Sequence, residues 1–250
     1  MSPNVLILGG TTEASALVRR MAESGIRGLV SLAGRVESPR LQALPMRVGG
    51  FGGVDGLAQY LREQRFSQVI DATHPFAAQM SCNAVLACAK VQVPLLRLTR
   101  PPWLATDGDR WTIVADIPAA VAALNRPAMR VMLAVGRMHL DDFAPNPQHF
   151  YLLRLIDPPL AALPLPDVGI LVDRGPFHPD PDRALMQKHA IDLVVSKNSG
   201  GEGAYAKIAA ARSLGIPVLM IDRPEVPAAI EVHHVDEALL WLHASTERGV

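Results

Sequence analysis

Backbone groups that can hold a phosphate are concentrated near the start of the chain. Residues 5–8 are apolar and run into Gly9 and Gly10, after which a helical pattern begins. A strand that enters a helix through glycine presents free N–H groups and the positive end of the helix dipole to an anion. We predict a nucleotide pyrophosphate site here, formed by Gly9, Gly10, Thr11, Thr12 and Glu13. The alternative is a plain strand–helix turn, which every parallel sheet needs.

The match to the glycine fingerprint of dinucleotide sites is partial. Gly9 supplies the turn and Ala14 is small enough for close packing of helix and strand, but Thr11 stands at the middle glycine. Hydroxyl groups would therefore supply part of the phosphate contact.

The end of the second apolar strand indicates which cofactor is preferred. In dinucleotide-binding domains an acid at this point binds the ribose of NAD, and a basic residue accommodates the 2′-phosphate of NADP. Here Ser31 and Gly34 precede Arg35, with no acid at the tip. We predict that Arg35 and Ser31 bind the 2′-phosphate, which favours NADPH over NADH. The alternative is a solvated Arg35 that pairs with Glu37.

Two further strand ends are predicted to contact the cofactor. Gly49 and Gly50 begin a segment with four glycines in five residues, which suits a ligand lying against bare backbone. The fourth strand ends before Thr73, His74 and Pro75, with Pro75 predicted at the first helical position. A flexible turn is the alternative for the glycines, and a structural role is the alternative for His74.

The second half of the chain has cations at three successive strand ends. Arg137, Arg174 and Lys197 each follow or end an apolar run. Lys197 continues into Asn198, Ser199 and Gly200, before a helix predicted to begin near Gly203, and this arrangement again suits an anion. We predict that a substrate with several carboxylates binds here. Single surface arginines are the alternative.

These segments are placed on a regular alternation of strand and helix patterns. The alternation is typical of α/β proteins with parallel sheets. We predict two Rossmann-like domains with mainly parallel sheets and a cleft between them. Residues 1–100 would form the NADP-binding domain, 101–110 a linker, and 111–250 a second α/β domain that binds substrate.

Composition excludes several other classes. Lys plus Arg and Asp plus Glu both total 24, so no overall basic field would attract nucleic acid. The two cysteines form no disulfide framework, and no metal-ligand spacing is present. No apolar run has membrane-spanning length and no targeting segment precedes the first strand. We therefore expect a cytoplasmic protein without a metal, and the oligomeric state stays open.

Three motifs together resemble the precorrin-6A reductase family of cobalamin biosynthesis. They are Ile-Leu-Gly-Gly-Thr-Thr-Glu-Ala at 7–14, Asp-Ala-Thr-His-Pro-Phe-Ala at 71–77, and Ser-Lys-Asn-Ser-Gly-Gly at 196–201. The resemblance spans the whole chain. It implies NAD(P)H-dependent reduction of one ring double bond of a carboxylate-rich tetrapyrrole macrocycle, with hydride added to C19 and a proton to C18.

The implied reaction adds expectations for individual side chains. Trp103, Phe51 and Phe177 would offer apolar surface to the macrocycle. His74, His178 and Lys197 are candidate proton donors, and solvent is an alternative source. Two other functions remain open, namely another NAD(P)H-dependent imine or enone reductase, and a non-catalytic protein that binds a nucleotide and a tetrapyrrole.

Overall fold

The computed structural model describes residues 4–34, 41–159 and 161–247. The chain divides into two compact units, of which the first comprises Met1–Pro101 with Glu225–Val250 and the second comprises Pro102–Pro224. Within the described residues, twelve strands form two sheets: β1 Asn4–Leu8, β2 Arg27–Leu32, β3 Met46–Val48, β4 Gln68–Asp71, β5 Leu95–Leu98, β6 Trp111–Val114, β7 Arg130–Ala134, β8 Phe150–Leu155, β9 Val168–Val172, β10 Leu193–Lys197, β11 Val218–Ile221 and β12 Ile230–Val232.

The helices lie between these strands and at the end of the chain. Their bounds are α1 Thr12–Glu23, α2 Gly53–Glu63, α3 Ala78–Val91, α4 Ile117–Ala123, α5 Pro179–Lys188, α6 Ala206–Leu214 and α7 Val235–Glu247. Two 3-10 turns, Arg137–His139 and Asp141–Phe143, follow β7.

The first sheet has the strand order β3-β2-β1-β4-β5-β12, and every pair is parallel. Alternate residues of β1 face opposite sides, as strand geometry requires. Val5 and Ile7 pack in the core formed with α1 and α7, whereas Leu6 and Leu8 pack with α2 and α3. Both faces of the sheet are therefore covered by helices, which confirms the α/β fold class for this unit.

The second sheet has the order β9-β8-β7-β10-β11-β6 and is also entirely parallel. Counting from its central strands, β7 and β10 occupy the places that β1 and β4 occupy in the first sheet. Met132 and Val194 of those strands share a core with Met186 of α5 and Ile208 of α6. The two sheets thus have the same Rossmann-type order, with the sixth position filled by β12 in one and β6 in the other.

The end of the chain corrects the predicted domain boundaries. Residues 225–247 were assigned to the second domain, but β12 pairs with β5 and Ala238 and Leu242 of α7 are buried in the core with α1. These contacts put the last strand and helix in the first unit. The predicted linker is not a free segment either, because Trp103 is 8% exposed and packs in the core of the second unit.

Candidate functional site

The turn after β1 lies where the strand order of the first sheet reverses. In the sheet, β1 lies between β2 and β4, and the strand order runs outward from β1 to β3 on one side and from β4 to β5 on the other. The turn after β1 is therefore the switch point at which open α/β sheets bind ligands. An added Cβ at Gly9 would lie 3.2 Å from Val30 Cγ1, so this glycine allows close packing against β2. Gly10 has φ +118° and no heavy atom within 4 Å of an added Cβ. Gly10 thus presents bare backbone with open space above it.

Thr11 connects the two strands at this switch point. Its Oγ1 accepts a hydrogen bond from Ala14 N at 3.1 Å, which caps α1, and donates one to Ala72 O at 2.8 Å, just beyond β4. The hydroxyl proton is therefore used inside the protein. This corrects the expectation that the Thr11 hydroxyl supplies part of the phosphate contact.

Thr12 and Glu13 are also engaged locally. Thr12 Oγ1 donates to Glu13 Oε2 at 3.1 Å, and the same carboxylate oxygen lies 3.5 Å from Arg100 Nη1. The Arg100 side chain is only 14% exposed. The Glu13 carboxylate therefore forms an ion pair with the segment that follows β5.

The loop after β4 is built on a buried carboxylate. Asp71 is 2% exposed and accepts hydrogen bonds from Thr73 Oγ1 at 2.7 Å and Ser81 Oγ at 2.6 Å. Arg97 Nε of β5 lies 3.8 Å from the same carboxylate. Asp71 thereby fixes the start of the loop that presents His74.

His74 and Pro75 lie in a turn rather than in a helix. Ala77 N donates to His74 O at 2.7 Å, and α3 begins only at Ala78. The prediction that Pro75 occupies the first helical position is therefore wrong, because this turn intervenes. Phe76 N donates to His74 Nδ1 at 3.2 Å, so the neutral imidazole carries its proton on Nε2.

The ends of β2 and β3 bring together Ser31, Gly34 and the glycine segment. Gly34 has φ +75°, and an added Cβ there would lie 3.1 Å from Val48 Cγ1. Ser31 is buried and accepts a hydrogen bond from Arg47 Nη1 at 2.8 Å. The same guanidinium bonds the carbonyls of Gly49 and Gly50. Arg47 was not among the candidate residues, while Arg35 and Glu37 lie outside the described residues.

In the second unit, the three candidate cations follow the carboxyl ends of parallel strands. Arg137 comes after β7, Arg174 after β9, and Lys197 ends β10. From β9 to β10 there are three strand spacings, or about 14–15 Å along this edge. Arg137 and Arg174 are exposed, and Arg174 Nη2 lies 3.8 Å from Asp157 Oδ1. The edge therefore offers positive charge over a distance that suits a large ligand with several carboxylates.

Two residues predicted to bind substrate form an internal brace instead. Asn198 Oδ1 accepts from Trp103 N at 2.8 Å, and Asn198 Nδ2 donates to Trp103 O at 3.0 Å. Trp103 Nε1 donates to Gly201 O at 2.7 Å, and its ring packs against Tyr205. Trp103 and Asn198 are both at least nine-tenths buried. We therefore withdraw Trp103 as an apolar wall and Asn198 as a ligand contact.

The loop that follows Lys197 also differs from the predicted helix entry. Ser199 is 7% exposed, and Gly200 and Gly201 have φ of +67° and +68°. The helix α6 begins at Ala206, not near Gly203, because residues 202–205 form turns. The prediction that this loop sits on the first turn of a helix is therefore wrong.

A buried ion pair supports the loop after β9. Arg154 of β8 makes a two-point contact with the Asp182 carboxylate on α5, and its guanidinium carbon lies 4.1 Å from the centre of the Phe177 ring. Neither charged side chain was singled out from the sequence, although Arg154 interrupts an apolar strand. The pair holds Phe177, and with it the neighbouring exposed His178.

The described residues contain neither a cluster of metal-binding side chains nor a helix that could span a membrane. Within 4–34, 41–159 and 161–247, no three His, Cys, Asp or Glu side chains cluster as metal ligands would. No helix in the described part of the chain has the length and apolarity needed to cross a membrane.

Comparison with known proteins identifies the family. The model of the precorrin-6x reductase CbiJ/CobK family matches residues 4–243. A precorrin-6A reductase of Rhodobacter capsulatus is 54% identical over 98% of this chain and 99% of its own length. A precorrin-6A reductase of Sinorhizobium sp. is 46% identical over 95% and 91% of the two chains. A solved structure described as CobK precorrin-6A reductase has a TM-score of 0.94 and 53% identity, covering 97% of each chain. The chain therefore belongs to the precorrin-6x reductase CbiJ/CobK family, as its three motifs indicated.

Proposed function

We propose that this chain is an NADPH-dependent precorrin-6A reductase that converts precorrin-6A to precorrin-6B in cobalamin biosynthesis. A hydride would be added to C19 of the macrocycle and a proton to C18, so that one ring double bond is reduced. Support comes from membership of the reductase family and from relatives named for this substrate over nearly the full chain. The observation that carries the proposal is the Gly9–Gly10–Thr11 turn at the switch point of a Rossmann-type sheet.

A reductase of this family with a Rossmann-type sheet implies a nicotinamide cofactor, and the first unit fits one. A bound nicotinamide supplies the hydride. In our proposal the N-terminus of α1 and the bare backbone at Gly10 bind the pyrophosphate. The nearby Thr73 and His74 loop and the segment containing Gly49 and Gly50 complete the cofactor contacts. The Thr11 and Asp71 hydrogen bonds keep these loops in place, which is positioning rather than direct binding.

The second unit would bind the macrocycle through its carboxylate arms. Arg137, Arg174 and Lys197 supply cations spread along one sheet edge, and each can form charge-assisted hydrogen bonds with a carboxylate. Ser199 and Gly200 follow Lys197 and remain candidates, Gly200 through its backbone and Ser199 through its hydroxyl, because the Ser199 N–H already donates to Lys197 O at 2.8 Å. Phe177, which is held under Arg154, remains a candidate for apolar contact with the ring.

The proton for C18 must come from a group that can donate at neutral pH. His74, His178 and Lys197 remain our candidates. Of these, His74 has its ring oriented by the hydrogen bond that Nδ1 accepts from Phe76 N, and this bond must be given up when the ring takes the second proton that it needs to act as an acid. Replacement of His74 by Asn would remove the titratable imidazole while retaining a polar side chain.

The direct test is reduction of enzymatically prepared precorrin-6A under anaerobic conditions. We expect oxidation of NADPH and a product heavier by two hydrogens. Cofactor deuterated at nicotinamide C4 should place one deuterium at C19, and reaction in heavy water should place one at C18. Oxidation with simple enones or imines but not with precorrin-6A would instead support another reductase. Binding of both molecules without oxidation would support a non-catalytic role.

A matched pair of variants tests where the cofactor binds. Gly10 and Gly25 lie near opposite ends of α1, and each has a positive φ with no heavy atom within 4 Å of an added Cβ. Val at either position therefore incurs backbone strain without an immediate clash, and the strain is larger at Gly10, whose φ of +118° lies outside the left-handed region that Gly25 occupies at +68°, so both variants are first checked for a wild-type circular dichroism spectrum. We expect Gly10→Val to abolish NADPH binding in titration calorimetry and Gly25→Val to retain it. Equal affinities in the two variants would place the cofactor elsewhere.

A further inference from the structure

Arg47 lies beside the point where the adenosine ribose binds in Rossmann-type domains. It is the register partner of Ser31 on the adjacent strand, and β2 ends one residue later at Leu32. In such domains the tip of the second strand faces the ribose 2′ position. The strand of Arg47, β3, therefore lies one strand spacing, about 4.8 Å, from the strand whose tip faces the 2′-phosphate of NADPH in such domains.

Three hydrogen bonds hold the guanidinium in place. Arg47 Nη1 donates to Ser31 Oγ at 2.8 Å and to Gly49 O at 3.0 Å, and Nη2 donates to Gly50 O at 2.9 Å. The guanidinium carbon also lies 4.2 Å from the centre of the Phe51 ring. The group is thus fixed between the tip of β2 and the glycine segment before it meets any ligand.

The charge of Arg47 is not balanced by these partners. A guanidinium has five N–H donors, and the three bonds to described residues leave Nε–H and one Nη2–H without a hydrogen bond to any other residue that the structure describes. The three acceptors are a hydroxyl and two carbonyls, which are neutral. Among the carboxylates that the structure describes, none lies within ion-pair distance of Arg47. A fixed arginine with two remaining donors is suited to a phosphate.

We propose that Arg47 determines cofactor specificity by binding the 2′-phosphate of NADPH through Nε–H and Nη2–H. Its bonds to Ser31 and to the Gly49 and Gly50 carbonyls orient the fork and keep the glycine segment beside the ribose. The inference rests on the proposed NADPH dependence, and it adds a residue on β3 to the predicted contacts at the end of β2.

The test compares two adenosine phosphates that lack nicotinamide, so that binding is measured without turnover. Adenosine 2′,5′-bisphosphate and AMP differ only in the 2′-phosphate. Titration calorimetry on the full chain should show tighter binding of the bisphosphate to the wild type. In Arg47→Ala we expect the bisphosphate to bind at least about 10-fold more weakly and AMP to change by less than about 3-fold, as for loss of one charge-assisted contact. The control is Arg27→Ala, at the exposed amino end of β2, which should leave both affinities unchanged.

Arg47→Lys guards against a folding defect, because it keeps the charge and the stem but loses the fork. We expect it to weaken bisphosphate binding while retaining the wild-type circular dichroism spectrum. Equal losses for both ligands would show that Arg47 only braces the glycine segment, and this result would overturn the inference. No loss in either variant would also overturn it. Equal binding of both ligands by the wild type would refute recognition of the 2′-phosphate. The proposed reductase function would still hold in that case if NADH reduces precorrin-6A.

Discussion

Replacement of Thr11 by Ala should loosen the first turn of α1. The change removes the cap on Ala14 N, worth about 1 kcal/mol. It also removes the hydrogen bond to Ala72 O, worth about another 1 kcal/mol. Ala72 is fully buried, so water does not readily replace this partner and the hydrogen bond is expected to count in full. We expect a total of about 2 kcal/mol, which corresponds to roughly a 30-fold change in an opening equilibrium.

Native-state hydrogen exchange of the α1 amides measures the free energy of this opening directly, because each unit can be followed through its own peptides. Exchange over residues 12–23 should become about 30-fold faster in Thr11→Ala. Thr12→Ala is the control, since its hydroxyl contacts only the partly exposed Glu13 carboxylate, and it should change stability by less than about 0.5 kcal/mol. Thr11→Ser keeps the hydroxyl and should behave like the wild type. Equal exchange in Thr11→Ala and Thr12→Ala would refute the bridging role of Thr11.

Three further predictions concern other buried groups. Burial, with a smaller contribution from the Asp71 charge, raises the pKa of Cys88 to about 12, so iodoacetamide at about pH 8 should label Cys82 and spare Cys88 until the protein is unfolded. Burial alone would raise the pKa of Asp109, but hydrogen bonds from Arg212 and the Thr106 backbone, with the Arg212 charge, hold it below its usual value. The Asp109–Arg212 pair therefore stabilises the fold at pH values above the ordinary carboxyl pKa, and this stabilisation is lost as the pH falls through the lowered pKa. In urea titrations, the free energies of unfolding of the wild type and Asp109→Asn should converge in acid. A difference that stays constant with pH would contradict this. Asn198→Ala should lower the thermal stability of the second unit even without ligand, and unchanged melting would restore Asn198 as a ligand residue.

The strands and helices could be read from the sequence because the central strands of both sheets are buried on both faces. Apolar runs such as Val5–Leu8 and Val218–Ile221 stand out between helical patterns, and parallel pairing follows from the alternation. The strand β12 was missed because it has only three residues, one of them Glu231, and follows a proline-rich segment. Its pairing with Leu96 and Leu98 joins residues more than a hundred positions apart, which no local pattern encodes.

The candidate site was predictable in its location but not in the use of its polar groups. Loops at the ends of parallel strands lie at one edge, so Gly10, His74 and Arg174 could be assigned to edges from strand order alone. Whether a polar side chain faces ligand or braces the fold depends on contacts that are distant in sequence. Trp103 uses the side-chain amide of Asn198, whereas Ser31 orients Arg47 and leaves part of its guanidinium for a ligand, and only the folded units define these contacts.

The return of the chain to the first unit has a consequence for the order in which the protein is made. When synthesis has reached Pro224, all strands described for the second sheet have been produced, but the first unit still lacks β12 and α7. The face formed by Val5 and Ile7 is then without Ala238 and Leu242, which later cover it. The unit that begins first is therefore completed last, and in the nascent chain this face is covered only by α1 until α7 emerges.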